Sequence, residues 1–360
     1  MTALLQAAGP GFGSYDPAEV TWLLTDLSTV ALEVPTEDRE ELIQGGRHYA
    51  EMLPVEFQPD AAYTALFHRA LEQSAARLAQ AVGLVGELLL AEHDGPPVLV
   101  SLARAGTPVG ILLRRWYAAA HGLDVPHYAV SIVRGRGIDD VAVRHVLDRH
   151  PARDVRFVDG WTGKGAIARE LAAAVRPYDG LDPRLAVLAD PGSCTDLYGT
   201  RDDFLVPSAC LNSTVSGLVS RTVLRDDLIG PGMFHGAKHY AELAPVDVSG
   251  VFLDAVSDAF RPVDVVALLG SDRTPDWSGW ASVVEVAQRY GVRDVNLVKP
   301  GVGETTRVLL RRVPWQVLVR PDRAGELEHV RLLAEARGVP VVEVPDLAYS
   351  CIGLIRPAAP

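Results

Sequence analysis

Residues 155–165 read VRFVDGWTGKG, an apolar run that ends in an acid and then breaks into a glycine-rich turn. The turn contains Lys164, one of only three lysines in the chain, the others being Lys238 and Lys299. Arginine supplies the remaining fixed positive charges of the side chains. In a chain with this bias, a lysine in a glycine-rich turn indicates a need for a compact, mobile charge rather than a planar guanidinium.

The run at 154–159 is one of four short apolar segments that predict buried strands. The other three are PPVLVSL at 96–102, HYAVSIV at 127–133 and LAVLAD at 185–190. A loop and a segment with helical spacing follow each of the first three strands along the chain. Because strand, loop and helix alternate, we predict an α/β fold with right-handed βαβ units and a buried parallel sheet.

Unusual residues follow these strands, at the sheet edge where parallel sheets bind ligands. Glycines allow backbone N–H groups to approach an anion, and the N-terminus of the next helix and nearby cations favour negative charge. In one loop, ordinary loop composition explains the residues equally well, but three successive loops favour phosphate binding. The loops are Arg104-Ala105-Gly106-Thr107, Arg134-Gly135-Arg136-Gly137 and Asp159-Gly160-Trp161-Thr162-Gly163-Lys164-Gly165.

Composition and charge narrow the class of protein. The chain has 360 residues, 48% of them hydrophobic, which is enough for a globular protein with a sizeable core. Residues 262–360 balance twelve basic with twelve acidic side chains, so the net charge of -12 lies before them and disfavours nonspecific nucleic-acid binding there. Three scattered cysteines predict a reducing compartment and no zinc site or other direct metal cluster. With no signal peptide or membrane-length apolar stretch recognised, we expect a cytoplasmic protein.

The sequence predicts two domains, at 1–255 and 262–360. After the break GSDRTPDWSGW, the C-terminal part alternates helical patterns with short apolar strands. This alternation predicts a smaller three-layer αβα domain.

The loop at 159–165 resembles that of the type I phosphoribosyltransferases. The resemblance implies that Asp159 holds ribose hydroxyls, that the turn Thr162-Gly163-Lys164-Gly165 holds a 5-phosphate, and that Arg104-Ala105-Gly106 meets pyrophosphate. It also implies phosphoribosyl pyrophosphate with Mg²⁺ as the substrate complex. Two departures from the family pattern are Gly160 in place of a second acid and Gly165 in place of a threonine.

Segments spread along the chain include GSYDPAEVTWLL at 13–24, VLVSLARAGTPVGILLRR at 98–115 and FHGAKHY at 234–240. Together they resemble the bacterial StiP family, which is associated with tellurium-resistance and stress gene clusters. That resemblance implies a phosphoribosyltransferase-like N-terminal region and a Pelota-like RNA-binding C-terminal domain. It assigns Gly301, Glu304 and Arg307 to the RNA-contacting turn, with Lys299 just before it, while Gly303 replaces the asparagine of the pattern. The same turn equally fits an ordinary helix N-terminus.

The family also carries the label of a cysteine protease. Such an enzyme needs a thiolate activated by a histidine. Cys194 and Cys210 lie among small residues, where a buried structural role is the better interpretation. We therefore expect phosphoribosyl transfer in preference to proteolysis.

Two further groups of residues are candidates for the site. Segments 45–56 and 236–247 share a basic residue followed by His and Tyr, so Arg47 and Lys238 are candidate phosphate ligands and His48 and His239 candidate acid–base groups. Packing at a helix start explains both segments equally well. The polar run at 212–216 predicts a helix cap or, alternatively, an acceptor-binding surface made by Asn212, Ser213, Thr214 and Ser216.

We therefore expect a phosphoribosyltransferase that uses phosphoribosyl pyrophosphate, with Asp159, Lys164, His48 and His239 as its catalytic candidates. The alternative is a non-catalytic stress protein that binds a nucleotide in the same pocket and RNA through the C-terminal domain. The sequence identifies neither the acceptor nor the oligomeric state.

Overall fold

The computed structural model describes residues 7–56, 60–93 and 95–356. Its strands are β1 Thr21–Leu23, β2 Thr25–Asp26, β3 Glu33–Val34, β4 Leu53–Pro54, β5 Val98–Ala103, β6 His127–Val133, β7 Gly137–Ile138, β8 Val155–Trp161, β9 Leu185–Ala189, β10 Tyr198–Thr200, β11 Gly236–Ala237, β12 Val298–Pro300, β13 Pro314–Val319, β14 Val341–Glu343 and β15 Cys351–Ile355. Its helices are α1 Thr36–Gln44, α2 Ala61–Ala91, α3 Thr107–His121, α4 Asp140–Leu147, α5 Ala166–Ala174, α6 Ser249–Asp258, α7 Val266–Leu269, α8 Ser278–Arg289, α9 Val302–Arg311 and α10 Glu328–Ala336.

A parallel sheet forms the centre of the N-terminal region, as the sequence predicts. Its order is β1-β6-β5-β8-β9-β10, and β7 pairs antiparallel with β6. Alternate strand residues face opposite sides: Leu99 and Val158 pack with α2, α3 and α6, whereas Val100 and Phe157 pack with α4 and α5. Both faces are therefore buried, which explains the nearly continuous apolar strands.

The chain crosses over in opposite directions from β5, because β6 lies on one side of it and β8 on the other. Ligands of open α/β sheets bind at such a switch point. Gly106 allows the loop after β5 to approach β8 there, since a Cβ at this position would lie 2.6 Å from the Val158 carbonyl oxygen. Asp159 lies near the end of β8, which extends to Trp161, and the turn at 162–165 follows at the same edge.

Helix α2 has the length and the apolar composition needed to cross a membrane. The expectation that the sequence contains no apolar stretch of this length was therefore wrong. Of the most apolar window of α2, 56% is buried inside the protein. Phe67, Leu78 and Leu88 pack in the same core as α3 and α6. This burial is that of a core helix in a globular domain.

The smaller C-terminal region has a four-stranded sheet in the order β12-β15-β13-β14, with only β13 and β14 parallel. Leu318 and Ile352 pack against α8, and Val317 and Cys351 pack against α9 and α10 on the other face. The three-layer prediction agrees with this arrangement. The apolar segment at 351–355 forms β15, which lies between β12 and β13.

Hydrogen bonds at the start of α9 and just before β15 join the two regions. Asp203 accepts hydrogen bonds from the backbone N–H groups of Val302, at 2.8 Å, and Ser350, at 2.7 Å. The Tyr349 hydroxyl donates to the Gly163 carbonyl at 2.7 Å. These bonds hold β15 and the start of α9 against the edge of the N-terminal sheet.

Candidate functional site

A cavity of about 1320 Å³ lies between the carboxyl edge of the parallel sheet and the C-terminal region. Ala105, Asp159 and the turn at 162–165 line it from the sheet, and Lys299 and Glu304 line it from the C-terminal region. Eight of its lining residues are basic and four are acidic. The cavity therefore combines a switch point, a glycine-rich turn and an excess of positive charge.

Both regions fix the shape of the turn at 162–165. Thr162 donates to the buried carboxylate of Asp190, and the Gly163 carbonyl accepts from Tyr349. Gly165 precedes α5 with φ of +71°, and a Cβ there would lie 2.3 Å from the Trp277 ring. Glycine replaces the threonine of the phosphoribosyltransferase pattern because the backbone is left-handed and Trp277 occupies the space of a side chain.

Lys164 joins the two regions instead of pointing freely into the cavity. Its Nζ donates to the carbonyl oxygens of Val295, at 2.6 Å, and Val298, at 3.1 Å. Burial, followed by the positive charges of Lys299 and Arg134, lowers the pKa of Lys164 to about 7. An ammonium group has three donors, so one remains for a ligand.

The predicted RNA turn forms a wall of the cavity. The Arg307 guanidinium lies 4.4 Å from the centre of the Trp161 ring and forms an ion pair with Glu304 at 3.2 Å. A Cβ on Gly303 would lie 3.0 Å from the same ring, so Trp161 accounts for glycine where the Pelota pattern has asparagine. Gly301 packs beside Asp203 and does not line the cavity.

Two carboxylates in the cavity have opposite pKa shifts. Burial raises the pKa of Asp159 to about 6, although the Gly160 N–H donates to its carboxylate at 2.7 Å. Burial also opposes ionisation of Glu304, but the charges of Arg307, Lys299 and Lys164 outweigh it and keep its pKa below the ordinary value. At neutral pH Glu304 offsets part of the surrounding positive charge.

His48 and Arg134 also line the cavity, although they lie far apart in the sequence. His48 Nδ1 accepts from the Ala50 N–H, so its Nε2 is the atom that donates to the Arg134 carbonyl, at 3.1 Å, in the neutral ring. The Arg134 guanidinium donates to Asn296 of the C-terminal region at 2.5 Å. These bonds orient His48 as a structural contact of the loop after β6.

Sequence reasoning missed several cationic lining residues. Arg221 lies 4.5 Å from the centre of the Tyr49 ring, and Arg39 and Arg312 line the same cavity. Burial and the charges of Arg39, Arg104 and Arg312 lower the pKa of Arg221 to about 9. No motif surrounds these arginines, and only the tertiary fold brings them together.

Most of the predicted pyrophosphate loop does not line the cavity. Arg104 pairs with Glu56 at 3.2 Å and donates to Asn212 at 2.8 Å. Gly106 and Thr107 are buried in the backbone turn, which leaves Ala105 as the lining residue. Arg136 from the next loop pairs with Glu51 instead of lining the cavity.

The second His-Tyr segment also lies elsewhere. Lys238 pairs with Glu33 at 2.7 Å, and His239 packs edge-on against Phe12. Arg47 is exposed and does not line the cavity, so His48 is the one member of these four candidates that does. The structure does not bring the two imidazoles to one pocket.

The polar run at 212–216 forms a single 3-10 turn, Ser213–Val215, and does not cap an α-helix, since the next one begins at Ser249. Asn212 accepts from Arg104, and the Ser216 hydroxyl donates to the Asn212 carbonyl. All four candidate acceptor-binding residues are buried outside the cavity lining: Asn212, Ser213, Thr214 and Ser216. Here Asn212 and Ser216 form hydrogen bonds within a packed turn.

The three cysteines are buried, as the structural interpretation predicts. Cys194 lies beside the cavity turn, where its Sγ donates to the Gly192 carbonyl at 3.2 Å. Burial and the charge of Asp190 raise the pKa of its thiol to about 12.

Comparison with known proteins decides the family. The family model described as "Tellurite-like stress resistance cysteine protease StiP" matches residues 13–257. "Cysteine protease StiP" of Acinetobacter baylyi (strain ATCC 33305 / BD413 / ADP1) is 35% identical over 364 residues, which cover 96% of this chain and 94% of that protein. The chain belongs to the StiP family. A model of the PELOTA RNA binding domain matches residues 277–357.

These names correct the functional prediction. Both the StiP family model and the Acinetobacter StiP protein are named as cysteine proteases, so the prediction of a phosphoribosyltransferase enzyme is wrong. The predictions of StiP membership, a stress-resistance family and a Pelota domain are confirmed.

Proposed function

We propose that this StiP-family chain binds a phosphate-bearing ligand of the ribonucleotide class in the cavity between its two regions. One observation carries the proposal: Lys164, Lys299 and Arg134 converge on a glycine-rich turn at the switch point, with the N-terminus of α5 beside them. Backbone N–H groups, a helix N-terminus and desolvated cations are a favourable environment for phosphate.

The charge balance supports the proposal. Among the acidic lining residues, Glu304 pairs with Arg307, and Glu170 accepts from the backbone N–H groups of Gly135 and Gly137. These contacts leave the cations near the turn in excess. Desolvated like charges raise the free energy of the empty site, and an anion relieves that cost.

The ribose part of the proposal rests on Asp159 and Trp161, which line the same cavity. A carboxylate accepts hydrogen bonds from sugar hydroxyls, and an indole ring provides an apolar surface for a base. In this proposal, the resemblance to phosphoribosyltransferases concerns binding and does not extend to transfer chemistry.

In this proposal, Mg²⁺ binds to the protein only together with the ligand. Within the described ranges, no group of three His, Cys, Asp or Glu side chains is arranged to hold a metal ion. Mg²⁺ commonly binds through one or two carboxylates together with substrate phosphates. We propose that it accompanies the phosphates, and titrations with Mg²⁺ and with EDTA test that step.

Calorimetric titration with adenosine monophosphate (AMP) tests the binding function. Lys164→Ala should weaken AMP binding by about 1.5–3 kcal/mol, the contribution of a charge-assisted hydrogen bond. Lys238→Ala is the matched control, because Lys238 pairs with Glu33 outside the cavity. Absence of AMP binding by the wild type, or equal affinities of both variants, would overturn the proposal.

The name of the Acinetobacter relative supports a second candidate function, cysteine-dependent proteolysis. Of the three cysteines, we propose Cys194 as the thiol to test, because it lies beside the cavity turn. A Cβ added to Gly165 of that turn would lie only 2.8 Å from the Cys194 Sγ. Its raised pKa means that this conformation does not present an activated thiolate. Cys194→Ser should abolish hydrolysis of a fluorogenic casein substrate, whereas Cys351→Ser, within β15, should not. Casein hydrolysis unaffected by Cys194→Ser would exclude this assignment.

We also propose a cytoplasmic location, consistent with three buried cysteines that form no disulfide. Fractionation of cells with an antibody to the native chain tests this location.

A further inference from the structure

A second, smaller cavity of about 290 Å³ opens beside the first. The two cavities share Arg134, Lys164 and Asn296 as lining residues, so the smaller cavity forms a mouth of the larger one. Arg169 and Trp280 line only the mouth. The smaller cavity therefore places an arginine and a tryptophan next to the interdomain cavity.

The mouth carries an aromatic and cationic platform built by both regions. The guanidinium of Arg169, on α5, lies 4.4 Å from the centre of the Trp280 ring and 5.0 Å from that of Trp277. Arg169 is exposed, and Trp280 is only partly buried. Exposed aromatic rings with arginine beside them stack nucleobases and attract phosphates without reading a particular sequence.

The helix turn that resembles the RNA-contacting element of Pelota domains faces the cavity, where Glu304 and Arg307 are lining residues. Gly303 and Arg307 pack on Trp161, and Asp203 holds the N–H of Val302 at the start of α9. A ligand in the cavity can therefore contact this turn. A single RNA strand can enter a cavity with its unpaired bases exposed, whereas a duplex keeps its bases paired and stacked.

We infer that the mouth formed by Arg169 and Trp280 guides the 5′-phosphorylated end of a single-stranded RNA into the interdomain cavity. The terminal phosphate lies near Lys164 and Arg134, and a following base stacks on Trp280. This inference rests on the proposed binding of a phosphate-bearing ribonucleotide and adds the polymer to which that nucleotide belongs.

Fluorescence anisotropy with a 5′-phosphorylated, unstructured RNA hexamer tests the inference, with calorimetric titration of AMP in parallel. The wild type should bind the hexamer more tightly than AMP. Trp280→Ala should lower hexamer affinity about fivefold to a hundredfold, as expected for loss of one base stack, and should change AMP affinity less than twofold. Trp280→Phe should restore most of the hexamer affinity.

Arg169→Ala should weaken hexamer binding and make it less dependent on salt, because it removes a phosphate contact. Arg176→Ala is the matched control, since Arg176 is exposed just beyond α5 and lines neither cavity. Thermal unfolding of each variant shows whether a lost affinity reflects a lost fold.

Four results would overturn the inference. They are equal wild-type affinities for hexamer and AMP, hexamer binding unaffected by both mouth substitutions, parallel loss of AMP and hexamer affinity, and tighter binding of an RNA hairpin that ignores Trp280. If the wild type binds AMP normally in these experiments, the proposed function survives the failure of the RNA inference. If neither AMP nor the hexamer binds, the proposed function itself fails.

Discussion

The Lys164 ammonium group donates hydrogen bonds to two backbone carbonyl oxygens, although it lies among other cations. Its folded-state pKa of about 7 is well below the ordinary value of 10.5. Because a bound anion stabilises the ammonium form, anion binding should take up a proton near neutral pH. The lysine in this turn is therefore an interdomain contact. We propose that it is also a ligand-binding group.

The first prediction follows from this pKa. Sulfate keeps a constant charge between pH 6 and 9, so its affinity should fall about tenfold per pH unit above pH 7, as Lys164 loses its proton. Lys164→Met should bind sulfate weakly with little pH dependence over the same range. Calorimetric titration at several pH values measures both affinities. The same pH dependence in Lys164→Met would assign the titration to another group.

The second prediction concerns the two departures from the phosphoribosyltransferase pattern. Gly165→Ala should lower the free energy of unfolding by about 2–5 kcal/mol, because it combines an unfavourable left-handed backbone with overpacking against Trp277. Gly160→Ala is the control, since its Cβ would meet only the Ala105 carbonyl oxygen at 3.9 Å. Urea unfolding midpoints compare the two. Equal midpoints would remove the steric explanation for Gly165.

At the scale of elements, Asp203 controls how α9 and β15 meet the N-terminal sheet. Its two carboxylate oxygens accept from two different segments of the C-terminal region, at Val302 and Ser350. The amide of an asparagine offers one acceptor oxygen and one donor group, so it cannot satisfy both N–H groups. The start of α9 thus depends on a residue about one hundred positions earlier.

The third prediction is that Asp203→Asn loosens this contact. The substitution should cost about 1–3 kcal/mol of local stability and speed amide exchange at the start of α9 and at Ser350. Asp202→Asn is the neighbouring control, because Asp202 is exposed and pairs with Arg77. Hydrogen exchange detected by mass spectrometry reports both segments. Unchanged protection of α9 in Asp203→Asn would show that packing alone holds the helix.

The elements that could be predicted from the sequence are those with a strong local pattern. The predicted strands at 127–133 and 185–190 match β6 and β9 closely, since apolar runs bounded by turns specify buried parallel strands. The prediction that the run at 212–216 caps a helix was wrong, because these residues form a buried turn in which Asn212 accepts from Arg104. Helix α2 was overlooked as a long apolar segment, because it is broken by polar residues that face outward.

The site could be predicted only in part, for a different physical reason. Asp159 lies near the end of β8, and Lys164 lies in the turn that follows it. Because the carboxyl ends of parallel strands meet at one edge of the sheet, the order of the residues in the sequence predicts where both lie. Arg221 and Arg312 reach the same cavity through tertiary contacts that leave no spacing in the sequence. The similarity between 45–56 and 236–247 was misleading, since Lys238 and His239 contact Glu33 and Phe12 instead.

At the scale of the whole molecule, the cavity exists only where the two regions meet. Tyr349 is fully buried in the C-terminal core, and its hydroxyl fixes the carbonyl of Gly163 in the turn of the N-terminal region. The shape of the phosphate-type turn therefore depends on a residue that does not line the cavity. Affinity for a ligand should respond to how well the regions are joined.

The fourth prediction tests this dependence. Tyr349→Phe should lower AMP affinity about fivefold, the effect of losing roughly 1 kcal/mol from one hydrogen bond, although Tyr349 does not touch the cavity. Tyr290→Phe, at the end of α8 and outside both cavities, should leave affinity unchanged. Calorimetric titration measures both variants. Unaltered affinity in Tyr349→Phe would mean that the turn keeps its shape without this bond.

The position of β15 has a consequence for how the protein is made. Residues Cys351–Ile355 are synthesised after β12, β13 and β14, yet they form an interior strand between β12 and β13. The N-terminal sheet can assemble early in translation, whereas the C-terminal sheet cannot be completed until residues 351–355 have emerged from the ribosome. Every newly synthesised molecule therefore passes through a period in which its first region is folded and its nucleotide-type cavity has no second wall.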